Sequence, residues 1–504
     1  MYLIPRIQNL LLSALIFLFA CNPSFDATNN LSETQQRELQ HALLGLKASN
    51  ELEVSLFAGE PMLFNPTNMD IDDRGRVWVI EAQNYRNFFN PVNPIREEGD
   101  RILILEDTNQ DGKADKQKVF YQGRDIDAAL GIAVIDDKVI VSCSPNVWVF
   151  TDSDGDDIPE QKEAMFTGIQ GEQNDHGMHA FVFGPDGRLY FNHGNAGQTL
   201  KGPNGEVLYD KGSGEILDVN QSSFQQGMIY RSNLDGSQTE VLAHNFRNNY
   251  EVCLDSYGNL WQSDNDDDGH RGVRINYVME YGNYGYKDEM TGAGWLSYRT
   301  GMSDQGHEMH WHQNDPGVVP NLLPTGAGSP TGIAFYEGEL LAENVQHAPL
   351  HTDAGPRVLR AYPFEADGAG YKAAMIPLLE SSNDKWFRPA DICVAPDGSV
   401  FVADWYDPGV GGNHMGDFRQ GRIYRLAPKA HPYQFESPDY SSPQGAVNAL
   451  ASPNLATRTK AWLRLAQMGQ SAEPALSDTW QQGTAPQRAR ALWLLARLTK
   501  ASLI

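Results

Sequence analysis

The chain has 504 residues, of which 41% are hydrophobic and 21% charged, and a formal net charge of −26. Its length allows two or three domains of ~100–200 residues, and its apolar content excludes an intrinsically disordered chain. The negative charge excludes a binder of phosphate backbones, which must neutralise phosphates with Lys and Arg; it leaves cation binding, a neutral substrate or plain solubility.

In chain order, Arg6 precedes the apolar run Leu10 to Ala20, which is too short to span a bilayer and has the character of a signal-peptide core. It ends Leu18-Phe19-Ala20-Cys21, a small residue before cysteine that resembles the bacterial lipobox. The expectation is a lipoprotein signal peptide over 1–21 with Cys21 lipidated, a linker or helix over 22–50, and an exported periplasmic or outer-membrane lipoprotein. Phe19 is bulky for that motif, so cleavage by ordinary signal peptidase stays open.

From residue 51 to about 430 one pattern recurs: an apolar strand, a turn that is often Pro-Asp-Gly, and an apolar-aromatic strand. Copies begin at Asn68, Gly131, Ala180, Glu251, Gly332 and Asp391. The turn residues supply the positive φ that a tight hairpin needs, and the flanks carry the Val, Ile, Trp, Tyr and Phe that pack well in sheets. The spacing of roughly 50–80 residues suits one four-stranded blade per copy. Six copies predict an all-β six-bladed β-propeller. Over 440–504 the alternation gives way to helical spacing, as in Leu455-ATRTKAWLRLAQMG and Pro486-QRARALWLLARL. This predicts partial HEAT-like helical repeats, fewer than the roughly three a solenoid needs to bury its faces, as if the chain were cut short.

Cys143, Cys253 and Cys393 sit inside apolar strand segments and are expected as small buried hydrophobes. No CxxC or CxxCH occurs, so neither a thiol zinc site nor covalent haem is supported.

Aligning the copies on their turn glycines yields candidate chemistry. His176 stands eleven residues before Gly187, Arg247 eleven before Gly258, and Arg388 ten before Gly398. The hairpin exits carry Glu81, His193, Asp264, Asn265, Asn344 and Asp404. Convergence of these groups predicts a polar pocket at one mouth of the propeller. His179, His193 and Glu172 around His176 raise a zinc alternative. Two acidic loops suggest structural Ca²⁺: Asp107, Asn109, Asp111 and Asp115 in the first, and Asp152, Asp154, Asp156 and Glu163 in the second, with Glu160 beside them. Oxygen ligands at alternate positions are what Ca²⁺ takes, although the first loop has Lys118 at the twelfth position and the second has Asp157 at the sixth; acidic turns between outer strands remain the alternative.

The segments Asn174-DHGMHAFVFGPDGRLYFNHGNAG, Phe246-RNNYEVCLDSYGNLWQSDNDDD and Tyr281-GNYGYKD resemble the soluble quinoprotein glucose/sorbosone dehydrogenases. Leu56-FAGEP, Phe387-RPADICVAPDGSVFVADWYDPGVGG and Arg488-ARALWLLA are similar to a large family of membrane-bound dehydrogenases of planctomycetes and related bacteria. The resemblance implies His176 as the general base that removes a hydroxyl proton while hydride passes to pyrroloquinoline quinone (PQQ). It implies Arg247, Asn248 and Arg388 as cofactor contacts. Asp264, Asn265 and Asp266 fall where the soluble enzymes hold a cofactor-linked Ca²⁺, with acidic residues replacing glycine-proline. It further implies a sugar or other alcohol as substrate and a cytochrome c as separate electron acceptor. Two other readings stay open: a non-catalytic carbohydrate-binding or scaffold propeller, and a Ca²⁺-dependent lactonase-like hydrolase.

Overall fold

The computed structural model describes residues 31–501 apart from 171–172, 174, 198, 219–222, 268–269, 382 and 413–414. Cys21 and Glu172 lie outside the described residues. The chain forms a six-bladed β-propeller followed by a short helical segment. The innermost strands of blades I to VI are Pro66–Ile71, Gly131–Ile135, Met178–Phe183, Val252–Leu254, Pro330–Tyr336 and Pro389–Val394. Each packs beside the next, and the sixth packs beside the first, which closes the ring. Strand pairing closes the ring as well: the early strand Leu52–Gly59 pairs antiparallel with Arg422–Pro428 as the outer strand of blade VI. Leu46–Ala48, within the stretch expected as a linker, adds a fifth strand to blade V.

Second strands such as Val77–Glu81 and Leu189–His193 are buried along their whole length. Blades stack face to face, so a strand has no solvent side, and its sequence is a continuous apolar run rather than an alternation. In blade V the second strand is Ala348–Asp353, not the Glu339–Asn344 stretch of the repeat pattern. Residues Glu343–Val345 form a short 3₁₀ turn, so Asn344 is not a hairpin exit; Asp353 is.

Inner strands of neighbouring blades share no ladder, so side chains meet their inward N–H groups. Asp391 Oδ2 accepts from Met69 N at 2.7 Å, Asn68 Oδ1 from Ile132 N at 2.8 Å, Asp70 Oδ2 from Val134 N at 2.7 Å and Glu251 Oε2 from Ile333 N at 2.7 Å. Part of the acidic composition is therefore a belt, buried at Glu251 and Asp391 and partly buried at Asp70, that ties blade to blade. Burial lifts the Asp70 carboxyl to about 7 and raises Glu251 and Asp391 as well.

The helices Pro443–Ala449, Leu455–Met468, Glu473–Gln482 and Ala485–Ala501 cover the end of the channel where the inner strands finish. Asn454 caps the second helix, accepting from Thr457 N at 2.7 Å, and donates from Nδ2 to Ile71 O and Val394 O at 2.8 and 2.9 Å. Trp462 Nε1 donates to Pro185 O and Trp493 Nε1 to Ser256 O. Each indole lies over a turn glycine, Gly187 or Gly258, both at positive φ and both too close to the ring for a larger residue to fit freely. Arg490 Nη2 binds Glu337 at 2.9 Å in a buried ion pair. The helices thus lie over one end of the channel.

Candidate functional site

The open mouth is where the inner strands begin, and there a cavity of about 310 Å³ is lined by residues from all around the ring. His176, Arg247, Asn248, Asn265 and Arg388 all line it. The cavity thus brings together the three residues counted from turn glycines, His176, Arg247 and Arg388, with the hairpin exit Asn265 and with Asn248, which the resemblance implied. Tyr85 and Trp405, edge to face at 5.4 Å, form an aromatic part of its wall.

His176 precedes the inner strand of blade III. Its Nδ1 donates to Asn195 Oδ1 at 2.6 Å, which leaves the lone pair on Nε2. Burial is the largest influence on the ring and holds its pKa below the ordinary 6.5; the Asp175 carboxylate opposes this and Arg247 reinforces it. The ring is thus neutral at pH 7 and able to accept a proton.

Arg247 is aimed by Asp267, whose Oδ1 accepts from Nε at 2.7 Å. Asp267 is itself held by Trp295 Nε1 at 2.9 Å and Tyr286 Oη at 3.3 Å. Arg247 Nη1, Asn248 Oδ1 and Asn265 Oδ1 are buried and have no hydrogen-bond partner among the described residues. Arg388 differs: its Nε and Nη groups already donate to Gly409 O, Ala354 O, Phe387 O and Pro408 O. It offers charge to the cavity rather than unused donors.

Asp264 does not line the cavity. It is fully buried against Arg274 at 2.7 Å and accepts from the backbone N–H groups of Arg247 and Asn248. The carboxylate exits of blades I, V and VI do the same work. Glu81 accepts from Phe64 N, Asp353 from Ser329 N, and Asp404 from Arg388 N, at 2.7–2.8 Å. Exit carboxylates hold the lead-in loops in place, and the expected polar pocket is built mostly from the lead-ins. Asp266 is buried and accepts from Gly272 N. His179 stacks on Tyr250 at 4.3 Å and bonds Asn249 O and Asp175 O, while His193 meets Tyr230 and Gly194 O; neither ring joins His176 in a ligand set.

Sequence counting missed Arg86. It lies in the irregular loop after the blade I hairpin, at φ +50°, and lines the cavity. Its Nη1 donates to Gly411 O at 2.5 Å and lies 3.4 Å from Asp175 Oδ2, while its buried Nε has no partner among the described residues. A non-glycine residue held at positive φ stores strain of the kind that clusters at functional sites.

The two acidic loops lie on outer strands, away from the mouth. Asp152, Asp154, Asp156 and Glu160 bring one oxygen each within 4.8 Å of one another, the one such group among the described residues. Glu163 does not join them. It sits on the outer strand Gln161–Phe166 opposite Val149, because the chain leaves this loop as a strand, whereas an EF-hand leaves it as a helix that returns the twelfth residue to the ion. In the first loop Asp107 accepts from Asp111 N and Gly112 N, Asn109 and Asp111 each cap a backbone N–H, and Asp115 accepts from Thr108.

A family profile described as a domain of unknown function (DUF7133) matches residues 38–430. No curated protein matches the sequence. Among solved structures, the holo form of the pyranose dehydrogenase PQQ domain from Coprinopsis cinerea aligns with a TM-score of 0.52 at 15% identity, covering 76% of this chain and 97% of that one. The calcium structure of a family AA12 carbohydrate-active enzyme from Trichoderma reesei gives 0.51 at 14% identity over 76% and 97%. The PQQ-bound aldose sugar dehydrogenase of Streptomyces coelicolor gives 0.50 at 16% over 76% and 99%. At these identities the likeness is one of fold.

Proposed function

The chain belongs to the DUF7133 family, and we propose that within it this protein is a quinone-dependent dehydrogenase that oxidises a sugar or other alcohol. The observation that carries this reading is the convergence, in one cavity, of a neutral His176 with Arg86, Arg247 and the unpartnered oxygens of Asn248 and Asn265. PQQ is a planar tricarboxylate, and this donor set fits it: Arg247 Nη1 and Arg86 Nε are buried donors without partners among the described residues, and guanidinium is suited to planar carboxylates. The bound quinone would supply the two-electron acceptor. Arg247, aimed by Asp267, and Arg86 would hold it, and Arg388 would add a third positive charge. Asn248 and Asn265 would orient ring or substrate hydroxyls. His176 Nε2 would take the hydroxyl proton, with Asn195 fixing the tautomer.

Electrons would leave to a separate acceptor such as a cytochrome c. Among the described residues no helix is long and apolar enough to cross a membrane, which is compatible with an exported protein anchored through Cys21. The Asp152 loop would carry a structural Ca²⁺ remote from the mouth. One observation favours a second reading, a carbohydrate-binding propeller without catalysis: Arg388, expected to hold the cofactor, has its donors occupied by backbone carbonyls.

The test is His176→Ala. A PQQ titration unchanged from the parent, with dye reduction lowered by about 10²–10⁴-fold, supports the base assignment. Full dye reduction in the folded variant removes it, and absence of PQQ binding in the parent protein favours the second reading.

A further inference from the structure

The cavity, at about 310 Å³, lies at the low end of the ~300–1,000 Å³ that buries one drug-sized ligand. On the reading above it would serve a tricyclic quinone and a substrate together, which puts the far end of a larger substrate at its rim. The loop carrying Arg86 forms the lip there. Phe88 and Phe89 follow Arg86 after Asn87, with ring centroids 4.4 Å apart, and are 59% and 48% exposed. The Arg86 guanidinium lies over the Phe89 ring at 4.5 Å. Large apolar side chains left in water beside a polar cavity mark a contact surface.

This lip is held rigidly. Asn87 N donates to Gln173 Oε1 at 3.0 Å, which ties it to the lead-in that bears His176. On its other side Asn90 Nδ2 donates to Gly412 O at 2.7 Å, and Asn90 Oδ1 accepts from Met415 N at 2.9 Å. Val410, partly exposed, continues the apolar surface into the cavity wall.

We propose that Phe88 and Phe89 form a saccharide subsite, stacking on the C–H face of a sugar ring whose reacting hydroxyl enters the cavity. This rests on the quinone-dehydrogenase reading for the place of the reacting end, and it narrows the substrate class to saccharides. A short alcohol entering the cavity would not reach the lip. A pyranose offers an apolar C–H face to the rings and hydroxyls to the polar lining; a second sugar unit would extend the contact across Phe88. Both rings are preplaced, so stacking gains area at little ordering cost.

The experiment is a calorimetric titration of the purified protein with maltose, in the presence and absence of PQQ, for the parent, Phe88→Ala and Phe88→Ala/Phe89→Ala. Phe88 is exposed, so its removal leaves the fold standing. The expected result is maltose affinity roughly three- to tenfold weaker per ring removed, with the PQQ titration of Phe88→Ala as in the parent. Loss of maltose affinity in the variants supports the subsite whether or not PQQ binds; if PQQ does not bind, the quinone reading alone falls. Equal maltose affinity in parent and double variant overturns the subsite, as does a protein that binds PQQ but no maltose.

Discussion

The Asp264 carboxylate accepts from the backbone N–H of Arg247 at 3.2 Å while its other side binds the buried Arg274 guanidinium at 2.7 Å. One side chain thus joins the wall of blade IV to the loop that aims Arg247 into the cavity. Asp264→Ala leaves Arg274 buried without its anion, which is expected to cost about 3–5 kcal/mol. Urea unfolding measures it; a loss under about 1 kcal/mol would show that Arg274 finds another partner.

The pH dependence of catalysis follows from His176. Only the neutral ring accepts a proton, so kcat/KM falls as pH drops through its pKa. Burial holds that pKa below 6.5, so the acid limb is expected to have its midpoint below 6.5. Asp175 raises the pKa, so Asp175→Asn should move the midpoint to lower pH. A midpoint at or above 6.5, or a shift upward in the variant, contradicts the assignment.

The belt of channel carboxyls makes stability pH-dependent in a stated direction. Asp70 ionises near 3.8 when unfolded and at about 7 when folded. Its contribution is therefore fully present below pH 3.8 and is lost as pH rises through about 7. In that window the slope is up to about 1.4 kcal/mol per pH unit for the one proton. Asp70→Asn, which mimics the protonated form, should flatten the decline in unfolding free energy between pH 4 and 7. An unchanged slope would mean that Asp70 is ionised in the native protein.

Much of the fold was legible because turn glycines repeat at a fixed offset from the strands they join. Offsets of eleven, eleven and ten residues led from Gly187, Gly258 and Gly398 to His176, Arg247 and Arg388, and all three line the cavity. The repeat pattern failed in blade V, where Glu337-Gly338 imitates a hairpin turn, but a 3₁₀ excursion delays the second strand to Ala348. Arg86 and Asp267 were not reachable by counting, because they lie in irregular loops shaped by distant partners such as Gly411 and Trp295. Helical periodicity showed that the tail has apolar faces, but not that Trp462 and Trp493 dock onto the turns of blades III and IV.

Calcium is expected to act on stability alone. With Asp152, Asp154, Asp156 and Glu160 as oxygen ligands, millimolar Ca²⁺ should raise the thermal midpoint, and Asp154→Asn/Glu160→Gln should abolish that rise without altering PQQ titration. A Ca²⁺ effect that survives in the double variant would place the ion elsewhere.

The most direct measurement is reconstitution: the purified protein with PQQ and Ca²⁺, scored for quinone binding and for dye reduction with a panel of aldoses and simple alcohols, in parallel with Arg247→Ala. Saturable binding, dye reduction with sugars and a quinone affinity about tenfold or more weaker in Arg247→Ala are the predicted result. No quinone binding by the folded, Ca²⁺-replete protein, or equal affinity in Arg247→Ala, would contradict it.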